Sequence, residues 1–195
     1  MNESRRYLED AHPQPNPLVV EVEQRSVIQG VPTISRETGR FLATLVHAMQ
    51  ANRILEIGTG YGGATLWMAL AQPPAGRIWT IDPDVAHTDI ARLYFERAGE
   101  AGSIEVLNQP AIELLETFPQ RNLDIVFISA DPLQYREFLD LAVPTLKRSG
   151  LIVFEHCLRG GSVAHAFNAA FLAHPDLAAT ILPLGDGVGV GARIR

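Results

Sequence analysis

Beyond Arg53 the chain alternates short apolar runs with longer mixed stretches. The runs are Ile54–Ile57, Ile78–Ile81, Ile104–Leu107, Ile125–Ile128 and Leu151–Phe154. Ile125–Ile128 and Leu151–Phe154 are apolar throughout, and the other three carry one polar residue each (Glu56, Thr80, Glu105). All are too short for a helix, which suits strands buried on both faces. Between them, residues 62–72, 84–98, 110–117 and 133–147 carry helical spacing. Strand–helix alternation of this kind predicts parallel βαβ units and a doubly wound α/β, Rossmann-like sheet. The rhythm changes after a helix predicted over 162–174. Ala178–Leu184 and Val188–Ile194 then flank Gly185-Asp186-Gly187, and two β-rich runs around such a turn predict an antiparallel C-terminal hairpin.

Ahead of Arg53, Pro13, Pro15 and Pro17 indicate an extended arm. Leu18 to Gln29 reads as a short helix stopped by Gly30 and Pro32. Ser35 is a plausible N-cap for a helix bearing Phe41, Leu42, Leu45, Val46 and Met49. The pattern describes a single domain over 1–195, with 1–34 as arm and short helix and 35–195 as the α/β core.

Composition narrows the class. A chain of 195 residues is long enough for one sizeable core and hardly for two. Its net charge of −6 argues against nucleic acid, whose phosphates need a basic face. Cys157, the single cysteine, excludes an intrachain disulfide and fits a reducing compartment. No apolar run approaches the ~18 residues of a membrane span. The polar opening MNESRRYLED lacks the apolar segment of a secretory signal. A cytoplasmic protein with no membrane partner is the expectation.

The strongest motif is RILEIGTGYGGATL, Arg53 to Leu66, in which a strand runs into four glycines and then a helix. Glycines there permit positive φ and let a ligand approach bare backbone at a helix N-terminus. Gly58-x-Gly60-x-x-Gly63, with Asp82 ~20 residues further on, satisfies a dinucleotide fingerprint. The same residues satisfy Glu56-x-Gly58-x-Gly60-x-Gly62, a pattern of S-adenosylmethionine (SAM) binding. Glu56 favours SAM, since an acid two residues before the first glycine would repel a pyrophosphate. The hairpin is likewise foreign to a plain dinucleotide fold. Asp82 can accept from ribose hydroxyls of either ligand, or cap the helix that follows it.

Six blocks carry a wider resemblance: VPTISRETGRFL, ILEIGTGYGGATL, GRIWTIDPD, FISADPLQY, SGLIVFEHCLRGG and LPLGDGVGVGARI. From about Val31 to its end the chain resembles the catechol and caffeoyl-CoA type of SAM-dependent O-methyltransferase. The resemblance implies a seven-stranded sheet with its last strand antiparallel. It implies SAM contacts at Glu56, Gly58, Gly60 and Asp82, and places Pro110 and Ala111 by the adenine. Tyr61 and Gly62 lie inside the turn, and Ser129 lies at the expected methyl-transfer edge. The acceptor is expected to be a small hydroxylated molecule, aromatic or otherwise. Dimerisation is common among such proteins, and a homodimer is expected here with the N-terminal segment as its place.

One part of the pattern is altered. The resemblance implies a divalent cation held by the first Asp of Asp-Ala-Asp-Lys after the fourth strand and by Asp-Asn after the fifth, with the Lys assisting deprotonation of the acceptor. Here those positions hold Ser129, Ala130, Asp131 and Pro132, then Glu155 and His156. Ser129 is a poor substitute for a carboxylate, Pro132 has no amine, and an imidazole suits zinc, manganese or iron better than magnesium. Three readings stay open. His156 acts as a metal-independent general base; or Glu155 and His156, completed by Asp131 or water, hold a softer metal; or SAM binding persists without catalysis. Asp131, the survivor of the first motif, joins His156 as a catalytic candidate. An NAD-dependent oxidoreductase is a more distant alternative, for which no hydride-site group is visible.

Other residues have plainer readings. Cys157 is expected to be buried, since methyl transfer needs no covalent nucleophile. His47, His87, His165 and His174 read as surface residues. Trp67, Trp79, Tyr135 and Phe138 read as packing, and Arg159, Gly160 and Gly161 as a loop beside the acceptor.

Overall fold

The five apolar runs form consecutive parallel strands: β1 (Arg53–Ile57), β2 (Arg77–Ile81), β3 (Ile104–Leu107), β4 (Leu123–Ile128) and β5 (Leu146–Phe154). The structure is a computed structural model and describes residues 7, 8 and 10–195. With β6 (Leu177–Leu182) and β7 (Val188–Arg193) the strands make one sheet in the order β3-β2-β1-β4-β5-β7-β6. Strand β7 runs antiparallel between β5 and β6. The doubly wound architecture and the C-terminal hairpin are therefore as the sequence predicts.

Seven helices cover the sheet among the described residues: α1 (Pro17–Gln29), α2 (Arg36–Met49), α3 (Gly63–Ala69), α4 (Val85–Arg97), α5 (Ala111–Thr117), α6 (Tyr135–Ala142) and α7 (Ser162–Leu172). Alternation along each strand divides the core in two. Ile54, Ile125 and Phe127 pack with Leu42, Leu66 and Phe95 beneath α1–α4. Leu55, Ile57, Val126 and Ile128 pack with Phe138, Leu139 and Phe171 beneath α5–α7. Every residue of β4 is buried, as a central parallel strand requires.

Three boundaries differ from the sequence reading. The arm is not wholly extended: residues 10 and 11 are helical, and Pro17 opens α1 at a position where its missing N–H is no loss, with Asn16 as cap. Part of that arm lies outside the described residues. Helix α1 belongs to the core, where Val19 and Val22 are buried, and Glu21 pairs with Arg97 of α4 at 2.7 Å. Helix α6 stops at Ala142, ahead of Pro144, and β5 begins at Leu146. Polar Lys147, Arg148 and Ser149 (φ 64°) disguise that beginning, which pairs with β4 through a register shift.

The sheet positions the site through its ladder, which continues one residue past β1, β2, β4 and β5. Gly58 N–H donates to the Ile81 carbonyl (2.9 Å), Asp82 N–H to Leu107 (3.2 Å), Ser129 N–H to Ile57 (2.9 Å) and Glu155 N–H to Ile128 (3.0 Å). Four chemically distinct residues are thereby set side by side along the carboxyl edge, where open α/β sheets bind ligands.

Candidate active site

A cavity of about 900 Å³ opens at this edge. It is lined on one side by Gly58, Gly60, Tyr61, Asp82, Pro110 and Ala111, and on the other by Ser129, Asp131, Phe138, His156, Arg159 and Gly160. Of the sequence-predicted residues, Glu56, Gly62 and Glu155 are absent from the lining.

The first side is built by the glycine turn. Gly58 has φ 97°, and a Cβ there would meet the Ser129 carbonyl oxygen at 2.1 Å. Gly62 (φ 87°) serves packing instead, since its Cβ would meet the Phe95 ring at 2.6 Å. The turn's backbone is held by Asp82, whose Oδ2 accepts from Gly60 N–H at 2.8 Å and whose Oδ1 accepts from Asp84 N–H at 3.0 Å. Each of these oxygens keeps a second lone pair for a ligand hydroxyl. Capping of α4 is done by Asp84, not Asp82. Asn108 steadies Asp82 by donating to its carbonyl at 3.0 Å.

Glu56 lies beneath the turn. It is fully buried, and its Oε2 accepts from the hydroxyls of Thr65 and Thr80, with the Thr80 bond at 2.6 Å. Oε1 is buried with no hydrogen bond. Burial pushes its pKa up to about 7, against the pull of the two threonines. Thr65 and Thr80 were not legible as partners, because the contact joins α3 and β2 to β1.

Tyr61 and His87 close the outer wall in an edge-to-face pair with centroids 5.4 Å apart, and Arg25 of α1 lies over the Tyr61 ring at 5.8 Å. His87, read from sequence as a surface residue, thus borders the cavity. His47 and His165 are exposed, and the half-buried His174 accepts from Asp176 N–H at its Nδ1.

The second side gathers the altered residues. Glu155 is buried, and its Oε2 accepts from Ser129 Oγ at 3.0 Å. Burial raises its pKa to about 7; the Ser129 and Thr38 hydroxyls oppose this, and the Asp186 charge adds to it. Beneath it, Tyr135 donates its hydroxyl to the Glu155 carbonyl at 3.0 Å, so this packing residue also steadies the strand end.

His156 follows with φ 58°, a left-handed conformation that turns its imidazole into the cavity wall. Nε2 lies 3.8 Å from Glu155 Oε2, and Nδ1 lies 3.5 Å from Asp186 Oδ2. Burial lowers the His156 pKa; the Asp186 carboxylate works the other way. Asp186, which comes from the turn between β6 and β7, was not singled out by sequence, although an acid between two glycines was a usable signal. Cys157 is buried as expected, with its pKa pushed up to about 11 by burial.

These residues do not form a donor set for a divalent cation. Ser129 gives its hydroxyl proton to Glu155, and Asp131 spends its Oδ1 capping the 3₁₀ turn at Leu133 N–H, 3.0 Å away. Among the described residues no three His, Cys, Asp or Glu side chains are grouped to hold an ion. The cofactor turn, by contrast, fits SAM: an open glycine backbone, an acid with free lone pairs and a cavity of sufficient size.

Comparison with known proteins decides the family. The O-methyltransferase family model matches residues 18–194. The chain belongs to the O-methyltransferase family. Its reaction class is accordingly SAM-dependent O-methyl transfer, which sets aside the nicotinamide reading. A catechol O-methyltransferase of Mycobacterium tuberculosis is 37% identical over 67% of this chain and 59% of that protein, so the match spans little more than half of the relative. One from Niastella koreensis is 33% identical over 80% of this chain and 78% of that protein. Among solved structures, a methyltransferase from Geobacter sulfurreducens aligns with a TM-score of 0.88 at 28% identity, covering 100% of this chain and 98% of its own. An O-methyltransferase from Bacillus cereus in complex with S-adenosylhomocysteine (SAH) aligns at 0.86 and 26% identity, covering 96% of each chain.

Proposed function

We propose that this O-methyltransferase methylates a hydroxyl of a small aromatic acceptor with His156 as general base and without a metal ion. The observation that carries the reading is the placement of the His156 imidazole in the cavity wall beside Ser129, where the family pattern would put metal ligands. The aromatic class is supported by relatives named for catechol and caffeoyl-CoA.

When bound, SAM supplies a methyl group on a sulfonium sulfur that leaves as a neutral thioether, so no acid is needed. The chain must position the acceptor and take its proton. His156 Nε2 would take the proton that the acceptor hydroxyl gives up on methylation. The resulting imidazolium lies between two carboxylates, Glu155 and Asp186. Gly58, Gly60, Tyr61, Asp82, Pro110 and Ala111 hold the cofactor, with Glu56 and Gly62 supporting the turn from behind. Ser129 holds Glu155, Asp131 shapes the acceptor side, and Arg159 borders it. A cytoplasmic homodimer joined through α1, whose Val27 and Ile28 are 69% and 78% exposed, completes the reading; sedimentation velocity tests it.

The test is SAH release from a panel of catechol, caffeate and monohydroxylated phenols, comparing the wild type with His156→Asn. A fall of roughly 10²–10⁴-fold is expected, the usual worth of a general base. Turnover within threefold of wild type overturns it. If calorimetry shows SAH binding while no acceptor gives turnover, the chain binds the cofactor without catalysis.

A further inference from the structure

We propose that Asp186 is the positioning residue of His156: it accepts from Nδ1–H, fixes the ring, and leaves the Nε2 lone pair facing the cavity. This rests on the reading of His156 as the base.

The geometry is built rather than incidental. Nδ1 of His156 is buried and makes no hydrogen bond of its own, yet Asp186 Oδ2 faces it at 3.5 Å. Distances of this kind commonly tighten once substrate is bound. A neutral imidazole carries one N–H, so the partner that captures it decides which nitrogen is the base. Glu155 is the competing carboxylate, but it stands 3.8 Å from Nε2 and already accepts from Ser129.

The turn that carries Asp186 is fastened to the segment following His156. Cys157 N–H donates to the Gly187 carbonyl at 3.0 Å and Leu158 N–H to the Asp186 carbonyl at 2.8 Å. Gly187 (φ 93°) permits this contact, because a Cβ there would come within 2.6 Å of Leu158 N. On the other side, a Cβ on Gly185 would meet Ser35 Oγ at 3.0 Å. Asp186 is therefore flanked by two close approaches, to the Leu158 backbone at Gly187 and to the Ser35 side chain at Gly185, while its own side chain is still half exposed. Arg159 Nη1 lies 3.4 Å from the same Oδ2 and limits the carboxylate's freedom from the solvent side. The groups facing the imidazole are thus Glu155, Asp186 and Arg159.

The test compares Asp186→Ala and Asp186→Asn, each alone and combined with His156→Asn, using the fastest acceptor of the panel. Asp186→Ala should lower kcat roughly tenfold or more, a fraction of the base's own worth, with acceptor KM and calorimetric SAH affinity little changed. Asp186→Asn, which keeps an acceptor oxygen, should recover part of the loss. In the His156→Asn background neither change should cost more. Overturning results are a kcat within about twofold of wild type for Asp186→Ala, or an equal loss in the His156→Asn background, which would mark a structural hairpin residue. A second readout needs no turnover: ¹⁵N NMR of labelled histidine should show His156 as the Nδ1–H tautomer, and the Nε2–H tautomer in the wild type would overturn the proposal. Were His156→Asn itself to keep full turnover, the base reading would fall while the tautomer measurement still judged Asp186.

Discussion

The Ser129 carbonyl oxygen lies where a side chain on Gly58 would begin, 2.1 Å from an ideal Cβ. The seam between the cofactor turn and the chemical edge is thus backbone against backbone. Gly58→Ala must displace β4 or the turn, in addition to adopting φ 97°. Overpacking of this sort costs about 1–3 kcal/mol, and the left-handed region adds about 1–2. A lower thermal midpoint and loss of SAH binding are expected, measured by calorimetry.

Asp82 touches the turn at Gly60 and offers its remaining lone pairs to the cavity. Asp82→Ala should weaken SAH binding roughly 10- to 100-fold, the worth of hydrogen bonds to a charged group. Equilibrium titration checks this, and an unchanged affinity would remove Asp82 from the site.

Glu56 bears on stability against pH. Its pKa is about 7 in the fold against an ordinary 4.5, so the folded state holds the proton more tightly. The group's contribution is complete below pH 4.5 and is lost as pH rises through 7. That loss is about 3 kcal/mol by linkage. Glu56→Gln should therefore gain on the wild type between pH 5 and pH 8, as measured by urea denaturation at both values.

His156 separates stability from turnover. A left-handed histidine is strained, whereas asparagine and glycine adopt that region more readily. His156→Gly should raise stability by up to about 1 kcal/mol while turnover collapses. Because burial lowers the His156 pKa, the acid limb of the wild-type rate profile should lie below the ordinary imidazole value of 6.5, with activity rising as pH increases. Thermal melts and a pH–rate profile test the two halves.

A chelator should leave turnover within about twofold, since base catalysis through an imidazole needs no Lewis acid. Loss of activity in EDTA, restored by zinc or manganese, would return Glu155 and His156 to the role of ligands.

The strands and the turn were legible because their signals are local. Ile125–Ile128 reads as a buried parallel strand from its own residues, and the helix capped by Ser35 follows from spacing. The start of β5 was hidden, because Lys147, Arg148 and Ser149 look like a loop until β4 pairs with them. Asp186 was hidden for a related reason. Its role depends on β7 returning beside β5, which sets the predicted hairpin turn against the segment after His156, a contact that the turn's own residues do not specify. Glu56 could be recognised as unusual, but its partners Thr65 and Thr80 come from other elements.

The strand order divides labour at a single boundary. The turn after β1 and the acid after β2 lie on one side; β4, β5 and the hairpin lie on the other. Ser129, Pro132, Glu155 and His156 lie on the second side and take no part in the Gly60–Asp82 pair. Such a layout is modular: a lineage can trade one way of activating a hydroxyl for another while inheriting its methyl donor unchanged.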